Sequence, residues 1–499
     1  MRASVVPAAA GLLLGIAACN ETTVPNYNAV AGLPHTGAAL QSEVTGALDA
    51  GRTDVGNFEL FMDGFARNSA YFTPTEQRFV LVSTGSIAVN PGDTFVGPVV
   101  WDFYYNGIFG IDSVIASIPN LKFVSSTGSA PLPAAQQEAM FGVMETVKAL
   151  YYMYIIETRD TLGIPVNGVG AKTLAPILCN RDVWAQIVAM LDSAADSLQL
   201  APAATTFPVT LPPGFSLVST NSGAFLGFTL ALRGKARIEY AYTTGRPTDT
   251  LTAGSPNLAQ LDSAITDIQA ATPIYSPSLS PADAVAANDL GVFHTFSTGS
   301  NDLPNPINTN AKAIYLLYDA LADIDTTDNR FVAKYGDAGP GNGPTSPGFP
   351  IATTWHYVNN MSGTEPLPII RNVELQLLLA EAQIATGQYG AAITVLNNLR
   401  HNVGGLPMET VAADYIDARN FFLREQRVSL LTDGEGDRVM TLRDWNLVVA
   451  RDTTWVARNG PDYTAVQQRG TVVDYHTSII PIPLGESDAR SGNIAPVCP

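Results

Sequence analysis

The stretch 368–400 constrains what this chain can fold into more than any other. Leu377, Ala380 and Ile384 recur at three- and four-residue spacing, the mark of a buried helical face. Gly387 follows, a residue able to end a helix in the left-handed conformation. Tyr389, Ala392, Leu396 and Leu399 then lay out the inner face of a second helix. The small Ala380 and Ala392 let the two backbones approach closely. The spacing therefore predicts two antiparallel helices over 368–400, joined by a tight turn. Such a pair holds surfaces in place and does no chemistry of its own.

The order of small, glycine, aromatic and aliphatic positions in this pair is that of a tetratricopeptide-type unit. Other segments repeat the helical spacing: 38–72, Trp101–Ile118, Ala135–Thr158, Arg181–Leu198, Phe225–Thr243, Leu258–Ala271 and 411–431. Between them lie stretches rich in proline, glycine, serine and asparagine, the longest at 73–98, 273–310 and 331–364. Loops of that length without an obvious helix are usually binding or lid elements. One strand is expected at Phe79–Val82, and short strands with loops over 445–499, where Pro481 and Pro483 forbid helix. The fold class is thus mostly α, with an irregular loop-rich half carrying short strands. We expect one domain over 37–499, its helical part ending near 272 and its second part running 273–499.

The amino terminus gives an address. Met1-Arg2 is a short basic start, Ala8–Ala18 is small and apolar, and Ile16-Ala17-Ala18 leads into Cys19. That is the pattern of an export signal, and a cysteine directly after the small residues is the bacterial lipobox. Residues 1–18 read as a signal peptide, Cys19 as the lipid attachment site, and 19–36 as a tether. No later segment approaches the ~20 apolar residues that cross a bilayer. The chain reads as anchored to a membrane without spanning it.

Composition excludes some partners. With 27 Lys and Arg against 45 Asp and Glu, the net charge is −18. Binding to nucleic acid, or to an anionic membrane through a basic face, is disfavoured by that sign. Of the three cysteines, Cys179 and Cys498 remain beside Cys19. An exported chain has the oxidising surroundings to pair them, and sequence leaves that pairing open.

Catalytic signatures are absent. The five histidines show no metal-ligand spacing, and neither His-Glu-x-x-His nor Gly-x-Ser-x-Gly occurs. Asp319, Asp323, Asp325 and Asp328 form an acidic run that lacks the glycine and closing glutamate of a calcium loop. A solvated, partly capping cluster fits better than a calcium site or a glycosidase pair. No metal or cofactor is expected. Trp355, His356 and Tyr357 follow the long Gly/Pro loop, and Tyr71, Phe72 and Arg78 edge the first one. Sugar rings stack their C–H faces on aromatics, so Trp355, Tyr357, Tyr71 and Arg78 are the candidate ligand contacts. Trp101 falls on an apolar stripe and reads as core; Trp455 and Tyr463 fit either role.

Taken in order, these landmarks resemble the RagB/SusD family of outer-membrane nutrient-uptake lipoproteins. The resemblance rests on Trp101–Ile115, Ala139–Pro165, Asp182–Leu198, Ala231–Tyr242 and Asp328-Asn329-Arg330. Its most specific part is Pro368–Arg371 running into Leu378–Ala382, then Asn397–Arg400, Arg424–Arg427 and Pro481–Pro483 before Glu486. At one corner the chain departs: Thr441 stands where the family has aspartate, and Asp444 where it has arginine, beside Trp445. A rewired ion pair is expected there. The resemblance implies a SusD-like helical fold facing the cell exterior and a SusC-like TonB-dependent transporter as partner. It also implies a non-catalytic lid that captures oligosaccharide or peptide. A different class, a lipid-anchored tetratricopeptide-type envelope scaffold without a small ligand, is the alternative; a lipid-anchored glycosidase is a third.

Overall fold

A computed structural model describes residues 37–53, 55–72, 79, 89–92, 98–125, 128–159, 162–166, 174–246, 255–284, 288–299, 302–307, 313–340, 343–344, 352–359, 363–433, 436–445, 447 and 479–495. Cys19, the tether, Arg78, Trp455, Tyr463 and most of the expected Phe79–Val82 strand lie outside them.

Helices dominate. In chain order they are α1 (Gly37–Thr53), α2 (Val55–Phe65), α3 (Pro98–Ser117), α4 (Ala134–Glu157), α5 (Asn180–Leu200), α6 (Ser222–Tyr242) and α7 (Leu258–Ala270). After the sheet region come α8 (Asn372–Ala385), α9 (Tyr389–Asn398), α10 (Tyr415–Ser429), α11 (Asp437–Asp444) and α12 (Leu484–Ala489). The long ones form a layer in which each packs on its successor: α1 on α3, then α4, α5, α6, α7 and α8, with α9 and α10 closing on α8. An amphipathic helix must bury its apolar stripe, and stacking on the next helix in sequence does this at little loop cost. α4 and α8 lie deepest. Every residue of α8 is buried, which is why its apolar positions run almost all round.

Gly387 adopts φ +79°, the left-handed cap expected between α8 and α9. Gly227 serves close approach instead, since a Cβ there would collide with the Thr272 carbonyl oxygen. Trp101 is core, as its stripe indicated.

Two helical expectations need correction. The segment 38–72 is not one helix: α1 and α2 are separate, and Ser69–Tyr71 is strand β1. The pair at 368–400 starts later than its spacing suggested, because Leu367–Arg371 is a strand. Pro368 and the β-branched Ile369 and Ile370 favour extended backbone there, and the strand pairs antiparallel with Gly291–His294. The helix begins at Asn372.

The remaining strands are β2 (Lys122–Ser125), β3 (Gly128–Pro131), β4 (Gly291–His294), β5 (Ile314–Leu317), β6 (Tyr335–Asp337), β7 (Ala352–Tyr357) and β8 (Leu367–Arg371). A four-stranded antiparallel sheet runs β1-β5-β7-β6. One face covers a second, smaller core of Ile314, Leu316, Phe331, Tyr335, Tyr357 and Leu431. A buried joint ties this sheet to the helices: the Asp63 carboxylate accepts from Asn68 Nδ2 at 2.9 Å, Thr432 N at 3.2 Å, Thr432 Oγ1 at 3.0 Å and Ser69 Oγ. Arg67 and Thr432, flanking it, both sit at positive φ. Four donors on one carboxylate offset the cost of such backbone.

Candidate functional site

β7 carries two of the aromatic residues singled out by sequence, and β1 carries a third. Side chains alternate across a strand, so Trp355 and Tyr357 share one face of β7 and His356 takes the other. The Trp355 face is the one over the second core. Tyr357 is fully buried there, its ring 5.6 Å from Tyr335. It shapes the sheet from beneath and has no face open to a ligand. Trp355 leans on Phe331, centroids 4.9 Å apart and tilted 60°, and stays half-buried at the margin. Tyr71 packs edge-on against Phe79 at 5.0 Å and is also half-buried. Two further rings come together on the opposite face: Tyr315 lies across from His356 in register, centroids 6.1 Å apart. Phe72 meets the edge of Tyr315 at 5.9 Å. Tyr315 was missed in sequence because a four-residue strand alternates too briefly to mark its exposed face.

The acidic run is held by its neighbours. Asp325 accepts from Thr327 N at 2.9 Å and Thr327 Oγ1 at 2.7 Å, while Asp323 pairs with Arg427. Asp328 caps the helical turn Asn329–Val332 through Arg330 N and pairs with the buried Arg330 guanidinium at 2.6 Å. Arg330 reaches Glu425 at 2.7 Å. Among the described residues, no group of His, Cys, Asp and Glu is arranged to hold a metal. Cys179 is disulfide-bonded, its partner lying outside the described residues.

At the corner where the chain departs from the family pattern, charge is buried deeply. Lys235 of α6 sits among Asp437 at 2.5 Å, Glu374 at 3.4 Å and Glu157 at 3.6 Å. Burial alone would lower the Lys235 ammonium, but Asp437 and the two glutamates outweigh it and hold the ammonium well above its usual range. Burial raises the Glu157 carboxyl to about 7. Burial, with Asp437 next to it, pushes Glu374 well up. Thr441 accepts from Gln426 Nε2 at 2.7 Å and donates to Glu381 Oε2 at 3.2 Å. Trp445 Nε1 donates to the Tyr242 hydroxyl at 2.7 Å. Thr441 thus joins a hydrogen-bond chain in place of an ion pair.

A cleft of about 660 Å³ opens elsewhere, between α1, α4, the segment 210–215 and the segment following β4. Leu48, Leu150, Leu211, Phe215, Phe296 and Ile369 form its buried apolar floor. Arg52 spans its rim, donating from Nε to Asp49 at 2.6 Å, from Nη1 to the Thr295 carbonyl at 2.7 Å, and from Nη2 to Asp302. Gln41 closes one end, accepting from Thr210 N at 2.7 Å and donating to Thr210 O at 2.9 Å. Beneath lies His294, 3.3 Å from the Tyr154 hydroxyl. Burial, with Arg52 nearby, pushes its imidazole down to about 3, so the ring is neutral.

The structure is a layer of stacked helices joined to a small aromatic-lined sheet. Residues 326–492 match the model of the SusD family. That match spans the C-terminal third of the chain, and the likeness outside it is one of fold. A SusD superfamily protein from Bacteroides thetaiotaomicron superposes with a TM-score of 0.65 at 15% identity, covering 92% of this chain and 98% of its own. Surface glycan-binding protein A from Bacteroides uniformis gives 0.62 at 16%, covering 91% and 98%. A protein described as a laminarin binding SusD-like protein gives 0.57 at 16%, covering 91% and 97%. No curated protein sequence matches the chain.

Proposed function

We propose that this chain is a lipid-anchored outer-membrane protein that captures an oligosaccharide and presents it, as a lid, to a SusC-like TonB-dependent transporter. The observation that carries this reading is the SusD family match over 326–492 within a fold shared along nine-tenths of the chain with a surface glycan-binding protein. Residues 1–18 would direct export, Cys19 would take the lipid, 19–36 would tether it, and 37–499 would act as one body. No helix among the described residues is long and apolar enough to cross a membrane. The protein binds and carries out no chemical step. Trp355 and Tyr71, half-buried on one face of the sheet, would offer ring faces for a sugar to stack on, with Tyr315 and His356 a second pair on the other face; Arg78, a candidate contact from the sequence, lies outside the described residues.

Affinity capture of the tagged chain from detergent-solubilised native membranes tests the proposal. A large β-barrel transporter is expected to co-purify. Recovery of periplasmic proteins alone would sink the lid and favour an envelope scaffold.

A further inference from the structure

The cleft below Arg52 has no part in the sheet-margin site, and its chemistry is specific. Arg52 meets three acceptors, so its guanidinium is spent on the protein and is unavailable to an anionic ligand. Two carboxylates face that single cation, leaving the rim one negative charge in excess. The Asp49 and Asp302 side chains are 45% and 31% exposed. Each meets Arg52 through Oδ1, and their Oδ2 atoms take no hydrogen bond among the described residues. They are held in place and ready to accept from hydroxyl groups. Main-chain partners are already taken at the edges: Gln41 occupies both groups of Thr210, and Ser297 N donates to Leu303 O at 3.0 Å. A peptide adding as a strand would find these main-chain groups already paired. The floor is apolar with aromatic edges, which suits the C–H face of a sugar ring. A volume of about 660 Å³ accommodates a short oligosaccharide end.

We propose that this cleft is a second glycan site, one that takes the uncharged end of an oligosaccharide and rejects uronate- and sulfate-bearing ends. Vicinal hydroxyls donate to Asp49 and Asp302, the ring lies on the apolar floor, and an anionic substituent meets the excess negative charge of the rim. The inference rests on the reading of the chain as a glycan-binding protein.

The full chain is screened by calorimetry against neutral gluco-, manno- and xylo-oligosaccharides and against oligogalacturonides. Thr45→Trp, at an exposed position on the cleft wall, is expected to weaken binding of a neutral oligosaccharide at least tenfold with the melting temperature unchanged. Asp302→Asn keeps the acceptor for Leu303 N but removes the charge, and is expected to narrow the gap between neutral and acidic ligands. Unchanged neutral binding in both variants would overturn the cleft site while leaving sheet-margin binding intact. So would an oligogalacturonide whose binding is lost in Thr45→Trp. A wild-type chain that binds none of the panel would instead count against the proposed function itself, and with it the cleft.

Discussion

The helical layer and the sheet half bury their polar groups in opposite ways. In the layer, apolar faces meet helix by helix, and a cluster of deeply buried charges forms a hub around Lys235. In the sheet half, small clusters of ions and hydroxyls act as rivets between distant segments. Lys334 and Arg371 meet Asp433 at 2.5 Å and 3.0 Å, and Asp63 gathers Ser69 and Thr432. Helix-on-helix stacking stabilises the first region; pairings between segments 62 to 369 residues apart stabilise the second. The contrast teaches where each is fragile. In the layer the buried charges are the weak points, and in the sheet the rivets are.

Breaking the hub is the severest test. Lys235→Met leaves Asp437, Glu374 and Glu157 without their cation in a buried site. Removing one partner from a buried ion cluster typically costs ~3–5 kcal/mol. The variant is expected to lose about that much stability in urea unfolding, and a loss below ~1 kcal/mol would show the hub to be solvated.

The pH dependence of stability sharpens the same point. The folded Glu157 carboxyl titrates near 7, while an unfolded glutamate titrates near ~4.3. Between these values the folded state holds more protons, so stability from this group falls as pH rises from about 4 to 7. His294 acts in the opposite sense. Its folded value near 3 lies below an unfolded ~6.5, so its contribution is lost as pH falls through that window. Glu157→Gln removes the first effect and leaves the second. Its melting temperature is expected to drop more than that of the wild type between pH 7 and pH 4.5. Parallel curves would place the hub's proton elsewhere.

At the sheet margin the expected effect is on binding alone. Trp355→Ala removes a half-buried ring at the margin of the second core and leaves Phe331 stacked on Tyr335, and Tyr335 packed against Tyr357. Loss of an aromatic anchor costs on the order of 1–2 kcal/mol in binding, a five- to thirtyfold weaker Kd. Calorimetry with a bound oligosaccharide reads this, and the melting temperature is expected to hold. Equal loss of both would make Trp355 a core residue.

Much of the layer was legible because helical spacing is a local signal. Trp101, Ile108, Ile111 and Ile115 announced α3, and all are buried. The sheet was not. Its order, β1-β5-β7-β6, joins residues 69–71 to 314–317 and 352–357, and no local period encodes such pairings. Trp355 and Tyr357 looked equivalent as neighbours of one loop; strand alternation, burial and the ring of Tyr335 separate them. The cleft was illegible for the same reason. Gln41, Arg52, Thr210 and Asp302 are unremarkable until the fold brings them together.

The smallest effect returns to the layer. Gly387 makes no contact that a Cβ would disturb, so its role is conformational only. Its φ of +79° costs a residue with a Cβ about 1 kcal/mol. Gly387→Ala is therefore expected to lower stability by about that amount, and Gly387→Asn by less, because asparagine tolerates the left-handed region. Glycan binding is expected to be unchanged in both, since no residue of the α8–α9 turn lines the cleft or belongs to the sheet margin. A full loss of folding in Gly387→Ala would mean that the turn holds the layer together through its geometry, and that the layer too depends on single points. A loss near 1 kcal/mol, ranked alanine above asparagine, would confirm that its stability is spread along the repeat.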